Sequence, residues 1–327
     1  MISTISSRLR LLQKAWIETR QLCGVEKMPH LYFFIDYVLA YIRHGVLIKQ
    51  YVHTDFYKYK NFERAKIFTY RRWEKLIGKM NSVDYIHFLE NKVDFNNFFK
   101  DFVFRRWMYV KSMTEKQLFN MLSNLPNGYV IVKPINGWEG HGVERIDLKN
   151  ISAQKLYDSI KGKNLIIEEC IENHPLLNFS NTSVNTIRIY TLMDSHNEVH
   201  VLRAILRVGV GSSVVDNYCS GGCIYNVNVA YGYVDSEGID VKGKHYVVHP
   251  GTHIKMLGYQ LPEWNKVIDV VKRAGAILPQ CRFIGWDVAI TPHAVELIEG
   301  NHNPDYELLE FLGYHGSFKE IKRILSN

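Results

Sequence analysis

The stretch FIGWDVAITPHAVELIEGNHNPDY, residues 283–306, decides the fold. Two apolar runs, 283–291 and 295–301, flank Pro292-His293-Ala294, and this pattern reads as a β-hairpin. Side chains alternate along a strand, so Glu299 and Asn301 share one face. A three-residue loop pairs Thr291 with Val295 and sets Asp287 directly opposite Glu299. Facing carboxylates repel and weaken a sheet, so the pattern calls for a cation between them. Asp287, Glu299 and Asn301 are hard oxygen donors, a set that suits magnesium better than zinc. A surface hairpin with solvated acids is the alternative, but both runs are too apolar to be wholly exposed.

A strand aspartate followed by a strand ending Glu-x-Asn resembles the metal-binding end of the ATP-grasp superfamily. The wider wording, GWDVAIT then ELIEGNHNP, is similar to the sugar-transfer-associated ATP-grasp family. The resemblance implies an α+β fold in which two α+β lobes hold ATP between them, with Mg2+ on Asp287, Glu299 and Asn301. Asn303-Pro304-Asp305 departs from the pattern, because relatives often carry Gly after the proline.

Composition sets bounds on the reading. A chain of 327 residues has room for a large core and one or two domains. Hydrophobic content of 46% with 22% charged residues fits an ordinary globular protein. A formal net charge of +7 favours anionic partners without choosing among nucleotide, sugar phosphate, nucleic acid and acidic membrane. The five cysteines are odd in number and mostly far apart, as expected of reduced thiols in a cytoplasmic protein. Cys219 and Cys223 are close in sequence, but no second ligand pair has matching spacing.

Residues 1–20 carry Arg8, Arg10, Lys14 and Arg20 without an unbroken apolar run, so they do not read as a secretory signal. The most apolar early segment, 31–42, is too short to span a bilayer and contains Asp36; it reads as a buried or interfacial helix. Helical spacing recurs over 9–23, 30–44 and 61–80. Residues 51–76 mix Tyr, Phe and Trp with Lys and Arg. The preferred reading has the aromatics packed inward and the bases in water. A nucleic-acid surface lacks a motif here, and contact with acidic lipid headgroups is a third option.

Further along, Lys92 opens a short helix. Strand 129–134, ending in Lys133, precedes a loop with Gly137, Gly140 and Gly142. Glycine allows close backbone approach to a ligand, and loop N–H groups can cradle phosphate. The spacing is neither a Walker A motif nor a dinucleotide turn. It looks like the phosphate loop of ATP-grasp enzymes, with Trp138 and His141 at the tip placed to cover nucleotide. By the same resemblance, Lys92 and Lys133 reach phosphates. Strand 164–171, with Glu168, Glu169 and Ile171, meets adenine through its backbone, and His174 neighbours the ribose.

Strands 185–193 and 199–210 place Arg188, Arg203 and Arg207 in β-branched runs. An arginine there is costly unless paired, so either a carboxylate such as Asp287 or Glu299, or a bound polyanion, must satisfy it. The resemblance to ribosomal-protein glutamate ligases implies that Arg188 and Arg207 meet the triphosphate. It also implies that Asn217, before Gly221-Gly222, lines the reacting centre, with Asp216 beside it.

These expectations together describe a helical region over 1–90 and an ATP-grasp domain over 91–327. Its glycine-loop lobe covers about 125–168 and its metal-binding lobe about 172–327. The implied activity is an ATP-dependent carboxylate–amine ligase working through an acyl phosphate. It would join an amine or amino acid to a small-molecule or saccharide-linked carboxylate in surface-polysaccharide assembly. An acidic membrane or polysaccharide-assembly enzymes are the expected peripheral contacts, and nucleic acid is not. A kinase with Asp216 as base, and a nucleotide-binding module without turnover, are the alternatives.

Overall fold

The computed structural model describes residues 2–26, 29–126, 128–137, 140–179, 183–210, 222–310 and 316–326, with the backbone alone for 2–9 and 23–25. The chain divides into two compact units: Met1–Met80 with Asp305–Asn327, and Asn81–Pro304. The last segment therefore belongs with the helices, whereas the sequence reading leaves it with the sheets.

The helical unit contains Ile2–Glu26, His30–His44, Ile48–His53, Asn61–Arg64, Tyr70–Met80 and Ser317–Ser326. Its core gathers Phe33, Tyr37, Ala40, Tyr51, Phe56 and Ile67. The aromatics of 51–76 point largely inward, as the preferred reading has it, while Lys58, Lys60, Lys66 and Lys75 are exposed. Arg64 is the exception: it is buried, and its two amino groups each lie 2.8 Å from an Asp36 oxygen. Helix His30–His44 ends at Gly45, whose φ of 69° needs glycine and whose Cβ would fall on Arg71. Glu310 fastens the C-terminal segment, accepting N–H bonds from Phe68 at 2.7 Å, Ser317 at 3.0 Å and Gly316 at 2.9 Å.

The second unit is built on two antiparallel sheets. Its strands in chain order are β1 Trp107–Tyr109, β2 Tyr129–Pro134, β3 Glu144–Asp147, β4 Leu165–Glu169, β5 Thr186–Met193 and β6 Val199–Val208. They continue with β7 Cys223–Val227, β8 Gly238–Asp240, β9 His245–Tyr246, β10 Phe283–Ile290 and β11 Val295–Asn301. The small sheet runs β1-β4-β2-β3 and the large one β11-β10-β5-β6-β7-β8-β9.

Every residue of β5 and β10 is buried, so both faces of the large sheet are covered at its centre. One face carries Ile187, Ile189, Leu206, Ile284, Trp286 and Val288 into the main core, with Phe95, Phe99 and helix Trp264–Ala276 packed there. That helix starts two residues after Pro262. Glu263 caps it at φ 53°, and Trp264 is fixed by its Nε1–H to the Val229 carbonyl at 2.9 Å.

The opposite face of the large sheet carries the charged residues. Its hairpin departs from the expected register at the turn, where Ile290, not Thr291, pairs with Val295. Thr291 closes the turn itself, its Oγ1 accepting N–H bonds from Ala294 at 2.8 Å and His293 at 3.2 Å. A bulge then leaves Ile298 unpaired between the Val288–Leu297 and Asp287–Glu299 pairs. The two deviations cancel, and Asp287 faces Glu299 as the sequence pattern requires.

Candidate functional site

Strand register brings the charges together. Arg188 on β5 lies beside Asp287 on β10, and Arg207 on β6 lies beside Thr186, two residues along from Arg188. Both arginines converge on Asp287. Arg188 pairs with it through Nε and, at 3.0 Å, through a terminal nitrogen, while Arg207 approaches at 2.7 Å. Arg207 also donates to the Thr186 hydroxyl at 2.9 and 2.7 Å. The carboxylate partner that Arg188 and Arg207 require is thus Asp287.

Burial disfavours the Asp287 carboxylate, but the two guanidinium groups outweigh it and hold the group well below the usual range, at about 2. Glu299 moves the other way. Burial pushes its carboxyl up, Asp287 opposite pushes it further, and Lys92, Lys133 and Arg188 offset only part of this. Asn301 donates its amide to the Gly285 carbonyl at 3.3 Å. Gly285 must lack a side chain, because a Cβ would lie 2.6 Å from Pro304 and 3.4 Å from Arg188. Asp287, Glu299 and Asn301 are hard oxygen donors on one face, and the raised carboxyl of Glu299 fits the acceptance of a cation.

The small sheet contributes a second cluster. Lys133 on β2 sits 2.6 Å from Glu168 on β4. Arg105, just before β1, lies 3.2 Å from Glu168 and 3.1 Å from Glu296 on β11. Asn96 completes the set, donating to Glu168 at 3.1 Å and accepting from Arg105 at 3.2 Å. Arg105 also donates to the carbonyls of Leu297 at 2.8 Å and of the unpaired bulge residue Ile298 at 3.2 Å. The Glu168 carboxyl resists burial because Arg105 and then Lys133 hold it down at about 2.

Lys92 opens its helix beside the glycine loop, donating from Nζ to the Gly137 carbonyl at 3.1 Å. Its ammonium is lowered by burial, then drawn up by Glu299. The loop returns on Gly140 and Gly142, both at positive φ, and Gly142 rests on Pro134. His141 is exposed. A depression of about 530 Å3 beside this loop is lined by His87, Glu90, Asn91, Asp94, Asn136 and Gly137. It shares only Gly137 with the residues singled out in the sequence.

The structure therefore brings together Lys92, Lys133, Glu168, Arg188, Arg207, Asp287, Glu299 and Asn301. Glu168 has its side chain committed to the buried cluster. Glu169 accepts from the Arg106 N–H at 3.2 Å, and Ile171 follows in the partly buried crossover. His174 donates its N–H to Ile290 at 2.8 Å, while its ring accepts from Leu176 at 3.2 Å, capping the turn Pro175–Leu177. Asp216, Asn217, Cys219, Gly221 and Trp138 lie outside the described residues. Sequence reading missed Arg105, Asn96 and Glu296. Arg105 and Glu296 are polar residues beside or inside apolar runs, the same signal that marks Arg188, whereas Asn96 stands on a mixed helix and carries no such signal. Asp194, Glu198 and His200 also cluster within ligand distance of each other, but Asp194 there accepts from the N–H groups of His196 and Glu198, closing the β5–β6 turn.

A small antiparallel sheet with a glycine loop and a larger sheet carrying paired acids and strand arginines define an ATP-grasp protein. The family model described as sugar-transfer associated ATP-grasp matches residues 71–325, and the chain belongs to that family.

No curated protein matches the chain. Among solved structures, the ATP-grasp ligase PsnB with a minimal precursor is similar at 12% identity and TM-score 0.45, covering 75% of this chain and 62% of that one. The ADP complex of purK, N5-carboxyaminoimidazole ribonucleotide synthetase, gives 13% and 0.45, with 80% and 58% covered. An L-amino acid ligase from Bacillus licheniformis gives 14% and 0.45, with 79% and 52% covered. The chain spans less than two thirds of each of these proteins. No helix among the described residues is long and apolar enough to cross a membrane.

Proposed function

We propose that this protein is an ATP-dependent, ADP-forming carboxylate–amine ligase, and that its carboxylate is carried by a sugar or sugar conjugate. One observation carries the reading: Lys92, Lys133, Arg188 and Arg207, from a helix start and three strands, converge on the face that holds Asp287 and Glu299. Four cations around two acids make a site for a polyanion with its counter-cation, which suits phosphoryl transfer, a reaction that depends on positioning and charge stabilisation.

In this reading Asp287, Glu299 and Asn301 hold Mg2+, which supplies charge neutralisation to the phosphates. Arg188 and Arg207 take phosphate oxygens in exchange for part of their hold on Asp287. Lys133, oriented by Glu168, and Lys92, oriented by the Gly137 carbonyl, bind the remaining oxygens. Gly137, Gly140, His141 and Gly142 close over them. The backbone of Glu168, Glu169 and Ile171, with His174, borders the nucleoside. An acceptor carboxylate oxygen attacks the γ-phosphorus and ADP leaves. An amine nitrogen then attacks the acyl carbon, inorganic phosphate leaves, and an amide remains. The resemblance assigns Asn217 and Asp216 to the reacting centre. The same proposal places the reaction in surface-polysaccharide assembly, on the cytoplasmic side where ATP is available.

The test is incubation with ATP, magnesium and pools of uronic acids and amino acids, followed by mass spectrometry. The expected result is ADP, phosphate and an amide, each dependent on both the acid and the amine. A phosphorylated hydroxyl formed without any amine requirement would make the protein a kinase. No ADP with any acceptor would leave a nucleotide-binding module.

A further inference from the structure

Helix His30–His44 is apolar on two opposite faces. Its inner stripe, Phe33, Tyr37 and Ala40, is buried in the helical core. Leu31, Ile35, Leu39 and Ile42 recur at spacings of four, four and three, which places them on one stripe about half a turn away. They are 58, 50, 43 and 61% exposed. An amphipathic surface helix offers polar residues at those positions. Four large aliphatic side chains in one row mark a surface that something covers.

The residues around the stripe indicate what covers it. Tyr32 and Tyr41 flank it and are exposed, and Trp16 lies alongside, its ring 5.0 Å from Phe34 and 4.1 Å from His30. At the C-terminal end Arg43 is exposed, and Arg71 reaches the carbonyls of Ile42 at 2.9 Å and Tyr41 at 3.0 Å. Residues 1–49 contain seven Lys and Arg against three acids, Glu18, Glu26 and Asp36. Two of those acids are already engaged: Asp36 by Arg64, and Glu26 by Lys58 at 3.1 Å. Aliphatic residues flanked by Trp and Tyr, beside arginines that meet no acid among the described residues, are the composition of a helix lying in a lipid headgroup layer. Four side chains offer roughly a few hundred Å2, short of the ~800 Å2 per partner of a stable protein–protein interface.

We propose that this outer stripe docks the protein peripherally on an anionic membrane, with the helix lying in the plane of the surface. This does not rest on the ligase reading, and its test involves no turnover. The full-length protein is floated with vesicles of phosphatidylcholine alone and of phosphatidylcholine mixed with phosphatidylglycerol. Binding is expected to the mixed vesicles, and to fall as salt is raised. Ile35→Ser with Ile42→Ser should weaken it by at least about tenfold, with an unchanged melting temperature because both side chains are exposed. No flotation with mixed vesicles at low salt, or equal flotation of the double variant, overturns the proposal. So does a concentration-dependent dimer in sedimentation that the double variant abolishes, which would make a second copy of the chain the occupant.

Discussion

Arg105 donates to the carbonyl of Ile298 at 3.2 Å, and Ile298 is the unpaired residue that brings Glu299 back opposite Asp287. The same guanidinium meets Glu168, the partner of Lys133. One side chain outside the reacting face thus sets the position of an acid on the large sheet and a base on the small one.

Arg105→Ala leaves Glu168 and Glu296 buried with less counter-charge. It should lower stability by about 3–5 kcal/mol, because removing one member of a buried ionic set strands the rest. Arg105→Lys keeps the charge but cannot serve so many acceptors, and should fall between the two. Urea unfolding of the three proteins side by side is the measurement. A loss below about 1 kcal/mol for Arg105→Ala would show that the set is dispensable.

On the proposed function, Arg188→Ala and Arg207→Ala should each reduce ATP turnover by about two orders of magnitude, since each would remove a charge-assisted contact to phosphate. Stability should separate them: Asp287 keeps a two-point partner when Arg207 is removed and only a one-point partner when Arg188 is removed. Steady-state ADP release and melting curves read both effects. If both proteins unfold while the wild type is insensitive to phosphate-site inhibitors, the arginines serve only as partners for Asp287.

Glu299→Gln tests the pair facing Asp287. The folded-state carboxyl of Glu299 is raised, so the native protein binds more protons than the unfolded chain between the two values. Its contribution is present in full below the unfolded value and is lost as pH rises through the folded one. Glu299→Gln should flatten that slope and leave the protein without nucleotide as stable as wild type or more so. The same change should weaken magnesium–nucleotide binding and nearly abolish turnover. Melting temperatures across pH, with and without ligand, give both signs; unchanged turnover would remove Glu299 from the site.

Asp287 and Glu168 supply the opposite pH limb. Both are lowered to about 2 by their basic partners, so their contribution holds above the unfolded values and is lost as pH falls towards 2. Acid unfolding of Glu168→Gln should therefore show a shallower slope than wild type in that window. An identical slope would mean that Glu168 is not ionised in the native protein.

Magnesium with ATP or ADP should raise the melting temperature, by a stabilisation of about 2.7 kcal/mol at a hundredfold excess over Kd. No shift at saturating nucleotide would contradict the ATP-grasp reading of the site.

The strands were legible in the sequence because those buried on both faces are continuously apolar, as β5 and β10 are, whereas the fold they build was read from the family resemblance of residues 283–306 and the motifs before it. Asp287 opposite Glu299 was reached through a turn register that the structure does not have, and it holds because the bulge at Ile298 offsets the turn. Thr291 took up its own turn with a hydroxyl, a local competition that hydrophobic pattern does not register. Arg105, Asn96 and Glu296 escaped because their meaning lies in long-range pairing: Arg105 and Glu296 are far apart in the chain and meet only through the packing of β1 near β11. The membership of residues 305–327 escaped for a similar reason, since Glu310 finds its donors at Phe68 and Ser317.

If phosphate binds this face as proposed, the grip of Arg188 and Arg207 on Asp287 makes its capture a trade rather than an addition. A phosphate arriving there competes with a carboxylate already in place, so its affinity is the difference between two ionic contacts, and the arginines are held in position beforehand. Exchange of one anionic partner for another changes the local charge less than the neutralisation of bare cations would. Binding to this face should accordingly vary only shallowly with ionic strength, while discriminating sharply between a phosphate that arrives with a cation for Asp287 and one that arrives alone.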